Sequence, residues 1–88
     1  MRDELIAAGL WDAHNSNDPG LSVTAAWQVL ARIGAACRYA GRTGNGDYEY
    51  QIYHPDTGAP IASGRGSTAA LAMCQAALMA LHEAGGAN

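Results

Sequence analysis

Polar and apolar residues alternate between Tyr48 and His54, putting Tyr48, Tyr50 and Ile52 on one side and Glu49, Gln51 and Tyr53 on the other. That period of two predicts a half-buried antiparallel strand. A glycine-bearing loop, Thr43–Asp47, joins it to an earlier strand, Cys37 to Arg42. The turn Pro55-Asp56-Thr57-Gly58 joins it to a short strand, Ala59 to Ser63, which presents Ile61 inward. Around this meander the spacing changes to three and four. Leu5, Ile6 and Leu10 suggest a short helix from Arg2 to about Leu10, ended at Gly9 or soon after. The stretch 14–20 carries nothing strongly apolar and is dense in turn formers, so it reads as a loop.

Ser22 then caps a second helix, with Val23, Ala26, Trp27, Leu30, Ile33 and Gly34 recurring on its inner side and Gln28 and Arg32 facing solvent. Ser63-Gly64-Arg65-Gly66-Ser67-Thr68 reads as a glycine turn that leaves the last strand sharply, with Ser67 or Thr68 capping the closing helix. That helix is expected to reach about Ala84 and to stop at Gly85-Gly86. Its inner stripe is Leu71, Cys74, Leu78 and Leu81, with Gln75, His82 and Glu83 outside.

The expected fold is α+β, in the order α-α-β-β-β-α, with helices packed on one face of a three-stranded antiparallel sheet. The 88 residues form one domain: residues 1–20 a short helix and loop, residues 21–85 the α-β-β-β-α core. A chain of this size buries only about 60 to 65% of its unfolded surface. The hydrophobic fraction of 49% is rich in alanine and lacks Phe, so the reading rests the core on Leu, Ile, Val, Met, Trp and Tyr.

Charge narrows the functions. The net charge is −3 and lysine is absent; the cations are Arg2, Arg32, Arg38, Arg42 and Arg65, which form no basic run. This argues against gripping nucleic acid through its phosphates. Neither a signal peptide nor an apolar run of membrane length is evident, so the expectation is a reduced cytoplasmic protein with no membrane partner. Cys37 and Cys74 read as buried thiols and not as a disulfide.

Catalytic groupings are not evident, so no enzyme activity, metal or cofactor is expected. His14, His54 and His82 fall in a loop, a turn and a helix end, without the paired spacing of a metal site. Cys74 and His82 stand about 12 Å apart along one helix, too far for a thiol and its base. Asp47, Glu49 and Asp56 flank exposed turns, where carboxylates ordinarily stay hydrated.

Three places invite a binding role. Gly64, Arg65, Gly66 and Ser67 offer amides and a guanidinium to an anion or nucleotide, against the plainer reading of a helix cap. Trp27 reads as core, whereas Trp11 is either a lid on the core or an exposed anchor for a partner. The uncovered sheet face, with Arg38, Glu49, Gln51 and Tyr53, is the most promising surface, because tyrosine and arginine often carry interface energy. The alternatives for it are an ordinary solvated face and a homodimer paired through it or through an edge strand.

Two family resemblances attach to these residues. A helix, a three-stranded meander and a Gly-x-Gly-Ser turn into an alanine-rich helix look like the double-stranded RNA binding domain. Thr68, Ala69 and Ala72, however, are neutral where that family places lysines, and only Arg65 is cationic. The chain more closely resembles the phage ABA sandwich domain family, through an N-terminal helix ending near Gly9-Leu10-Trp11, the segment Leu21–Leu30, a short meander and, above all, Ser67–Leu78. That resemblance implies a phage or prophage origin and the host cytoplasm as workplace, and it transfers no catalytic residue. The resulting expectation is a non-enzymatic accessory protein that binds and inhibits a host protein, such as a CRISPR-Cas defence complex. Its rivals are a nucleotide-binding oligomer using Gly64–Ser67 and a double-stranded RNA binder.

Overall fold

A computed structural model describes residues 1–34 and 36–86, with side-chain surroundings through His82. Along the chain run α1 (Arg2–Ala7), a 3-10 turn at Pro19–Leu21, α2 (Val23–Ile33), β1 (Ala36–Arg42), β2 (Tyr48–Tyr53), β3 (Pro60–Gly66) and α3 (Ala69–Gly86). The strands pair antiparallel in the order β1-β2-β3. The architecture is therefore α+β with the expected order α-α-β-β-β-α. The Cα envelope measures 34 × 34 × 20 Å, and its short axis suits two layers about 10 Å apart.

Local chemistry explains most boundaries. The Ser22 hydroxyl accepts the Ala25 amide at 3.3 Å and starts α2, and Gly34 ends it in the left-handed region (φ 75°), where a Cβ is unfavourable. Residues 12–18 form no regular element, but the loop is held: Asp12, Asn15 and Asp18 each accept an amide two residues on. Arg2 also donates to the carbonyls of Ala13 and Asn15. Helix α1 ends at Ala7, three residues short of the expected Leu10. Gly9 (φ 78°) then turns the chain so that Leu10 and Trp11 fall into the core.

The largest departure concerns the glycines after Ser63. They do not form a turn; β3 runs straight through them to Gly66, opposite Tyr48. Gly64 is buried beneath α3, so close that a Cβ there would lie 2.1 Å from the Ala76 nitrogen and 2.6 Å from the Ala72 carbonyl oxygen. These glycines allow contact between backbones. The cap falls to Thr68, whose hydroxyl accepts the Leu71 amide at 3.2 Å and whose carbonyl accepts that of Ala72 at 3.0 Å.

That close approach also settles what faces inward on α3. Ala70, Ala72, Met73, Cys74, Ala76, Ala77 and Ala80 are buried, while Leu71 and Leu78 are half-buried and Leu81 is exposed. Cys74 keeps its expected place, but the leucines give way largely to alanines: where Ala72 and Ala76 cross Gly64, a side chain longer than a methyl would hold α3 off β3. Helix α2 lies along α3, burying Ala25, Ala26, Val29 and Leu30. Trp27 follows Ala26 by about 100° around that helix and turns outward, 49% exposed, so the expected core tryptophan is a surface residue. Helix α3 continues through Gly85 and Gly86, the residues expected to stop it, and the outward position expected for Glu83 lies outside the described side chains.

Candidate interaction surface

Strand pairing places the polar residues of the meander. Ile52, buried against the helices, fixes which side of β2 is inward; its neighbours Gln51 and Tyr53 face the other way. The register sets Arg38 opposite Gln51 and Gln51 opposite Ser63, and it sets Gly41 opposite Glu49 and Glu49 opposite Arg65. The far face therefore carries Arg38, Gln51, Tyr53, Glu49, Ser63 and Arg65, none of them buried.

Cross-strand contacts fasten these side chains. The Arg38 Nε donates to Gln51 Oε1 at 2.9 Å, and its guanidinium carbon stands 4.7 Å from the centre of the Tyr53 ring. Arg65 Nε meets Glu49 Oε1 at 2.9 Å as a hydrogen-bonded ion pair. Exposed cross-strand pairs of this type contribute about 0.2–1 kcal/mol each, so their main effect is to order the surface.

The four residues expected to share the uncovered face, Arg38, Glu49, Gln51 and Tyr53, are thus brought together. Trp11, expected as a possible anchor, is not with them: it is 5% exposed and its indole N–H donates to the Asn17 carbonyl at 3.0 Å. Trp11 thus takes the first of its two expected roles, a lid on the core, and only Trp27 departs from its expected position. The Gly64–Ser67 group is divided as well. Gly64 and Gly66 face α3, Arg65 reaches across the opposite face to Glu49, and Ser67 is exposed without the capping bond that Thr68 makes. The geometry does not gather these residues around a common anion.

One cluster was not anticipated. Tyr39 sits opposite Tyr50 on the helix side of the sheet, with ring centres 5.5 Å apart, and lies 6.4 Å from the Tyr48 ring. Arg42 stacks over Tyr48 at 4.7 Å while its Nη2 donates to the Gly46 carbonyl at 2.7 Å. The signal was the register. An extra residue at Ala40, between Tyr39 and Gly41, turns Arg42 to the same side as Tyr39.

Chemically the surface offers recognition groups. Both cysteines are free; burial pushes the Cys37 thiol up to about 11. Burial, followed by the negative charge of Asp18, pushes Cys74 up to about 12, against the opposing N-terminal ammonium. Both are therefore protonated at neutral pH, the opposite of an activated nucleophile. Among the described residues there is no group of three metal-ligating side chains, no buried side-chain polar atom without a partner, and no helix long and apolar enough to cross a membrane. Comparison with protein-family models, curated proteins and solved structures returns no match.

Proposed function

We propose that this chain is a non-enzymatic binding domain whose open sheet face seats on another protein and blocks it. The observation that carries this reading is the ordered set Arg38, Gln51 and Tyr53, flanked by the Arg65–Glu49 pair, on a face with no buried member. Such a surface combines the residue types that dominate interface energy with side chains already held in place, which lowers the entropy lost on association. Its specific form follows from the resemblance to the phage ABA sandwich domain: an accessory protein working in a host cytoplasm by occluding a host factor, of which a CRISPR-Cas complex is one instance.

The test is comparative capture. Immobilised wild-type protein and a Tyr53→Ala variant, matched by circular dichroism, are exposed to the same host lysate and their retained proteins quantified. The reading expects a stoichiometric protein on the wild type that is depleted about tenfold or more on the variant. Equal retention by both would remove the open face from consideration.

A further inference from the structure

We infer that the partner presents a carboxylate to Arg38 from an acidic protein surface, an inference that rests on the binding reading proposed above. The arginines whose contacts are described differ in how they are satisfied. Arg65 is neutralised by Glu49, and Arg2 lies 3.7 Å from Asp3. Arg42 is also held by neutral groups, the Gly46 carbonyl and the Tyr48 ring, but it lies on the helix side of the sheet, so on the open face the contrast is between Arg65 and Arg38. Arg38 is held only by neutral groups, the Gln51 carbonyl oxygen and the Tyr53 ring, and among the described residues no carboxylate lies within ion-pair distance of it.

Neutral fastening fixes the direction of a guanidinium without cancelling its charge. The group has five N–H donors; its Nε and Nη2 bond Gln51 and the remaining edge is open to water. The acceptor that matches such a fork is a carboxylate, bound by two parallel hydrogen bonds, while the adjoining Tyr53 ring gives the partner apolar area to cover.

Phosphates of nucleic acid fit less well. The open face sets two arginines against one glutamate, and the chain lacks lysine and carries a net charge of −3, so no basic track exists along which a backbone could lie.

Titrating the ¹⁵N-labelled protein with a hexaglutamate peptide, and separately with a short oligothymidylate, tests the inference. Hexaglutamate should shift the Arg38 side-chain Nε–H and the amides of Arg38, Gln51 and Tyr53. The shifts should fade as salt rises from about 50 to about 200 mM. Arg38→Gln should abolish them while the rest of its spectrum superposes on the wild type, and Arg65→Gln should retain them. Absence of the shifts, or their persistence in Arg38→Gln, overturns the inference. Stronger shifts at the same residues from oligothymidylate also overturn it and reassign the face to single-stranded nucleic acid. In the capture experiment, loss of the partner by Tyr53→Ala but not by Arg38→Gln would leave the open-face reading standing and sink only the carboxylate. Retention by both variants would sink the two together.

Discussion

Replacing Gly64 by alanine adds one methyl group at the tightest point in the fold. The added carbon would lie 2.1 Å from the Ala76 nitrogen, 2.6 Å from the Ala72 oxygen and 2.7 Å from the Ala76 Cα, against an ordinary contact of at least 3.4 Å. All three are backbone atoms, so no side chain can rotate away. Relief requires α3 and β3 to separate by at least about 1.3 Å, the difference between 3.4 and 2.1 Å. A gap of about 0.5–1 Å already forfeits a quarter to a half of each dispersion contact, and the seam includes the fully buried Ala72, Met73 and Ala76. The expected loss is therefore about 3 kcal/mol or more, at or above the top of the usual overpacking range.

An 88-residue domain has about 4–13 kcal/mol of stability in all, so the variant should unfold readily. Thermal unfolding should fall by about 12–24 °C. Urea denaturation followed by circular dichroism measures this directly, with Gly44→Ala as control, since nothing lies within 4 Å of a Cβ built at Gly44. Gly66→Ala, whose nearest atoms are the Leu71 Cβ at 2.7 Å and the Ala72 nitrogen at 2.8 Å, should fall between the two. A Gly64→Ala variant within about 0.5 kcal/mol of Gly44→Ala would refute the claim that backbone contact sets the position of α3.

The tryptophans give an optical counterpart: acrylamide should quench Trp27 readily and Trp11 poorly. Trp11→Ala should cost about 3–5 kcal/mol, whereas Trp27→Ala should cost under about 1 kcal/mol. Removing the hydroxyl cap with Ser22→Ala should cost about 1 kcal/mol in the same denaturation assay. The thiols predict a pH dependence. Each has a folded pKa above its ordinary 9.0, so the folded state holds the proton more tightly, and this contribution is fully present below about pH 9. It should decline as pH rises through the folded values of about 11 and 12, and Cys74→Ala should flatten the alkaline slope of stability.

The sheet was legible because its signals are local. Alternation from Tyr48 onward and a glycine-bearing loop specify a hairpin before any tertiary contact is known. The same alternation puts Glu49, Gln51 and Tyr53 on one face, with Arg38 expected beside them from the preceding strand, and the register sets Arg38 opposite Gln51. Arg65 was missed as a member because the last strand was ended at Ser63; three more residues of strand put it opposite Glu49. Gly-x-Gly at a strand end is consistent both with a turn and with a strand lying under a helix, and only the position of α3 distinguishes them. Trp27 shows a related limit. Ala25 and Ala26 let α2 approach α3 closely, and hydrophobicity alone ranks a tryptophan above an alanine at a site where size decides.

The alanine seam between α3 and β3 has an evolutionary corollary. With the interior assembled wholly on one side of the strands, exchanges at positions 38, 51, 53, 63 and 65 leave the buried contacts untouched and remove only surface cross-strand pairs worth about 0.2–1 kcal/mol each. Randomised libraries at those five sites should yield mostly folded members, so specificity can drift to follow a changing target while the scaffold beneath stays constant.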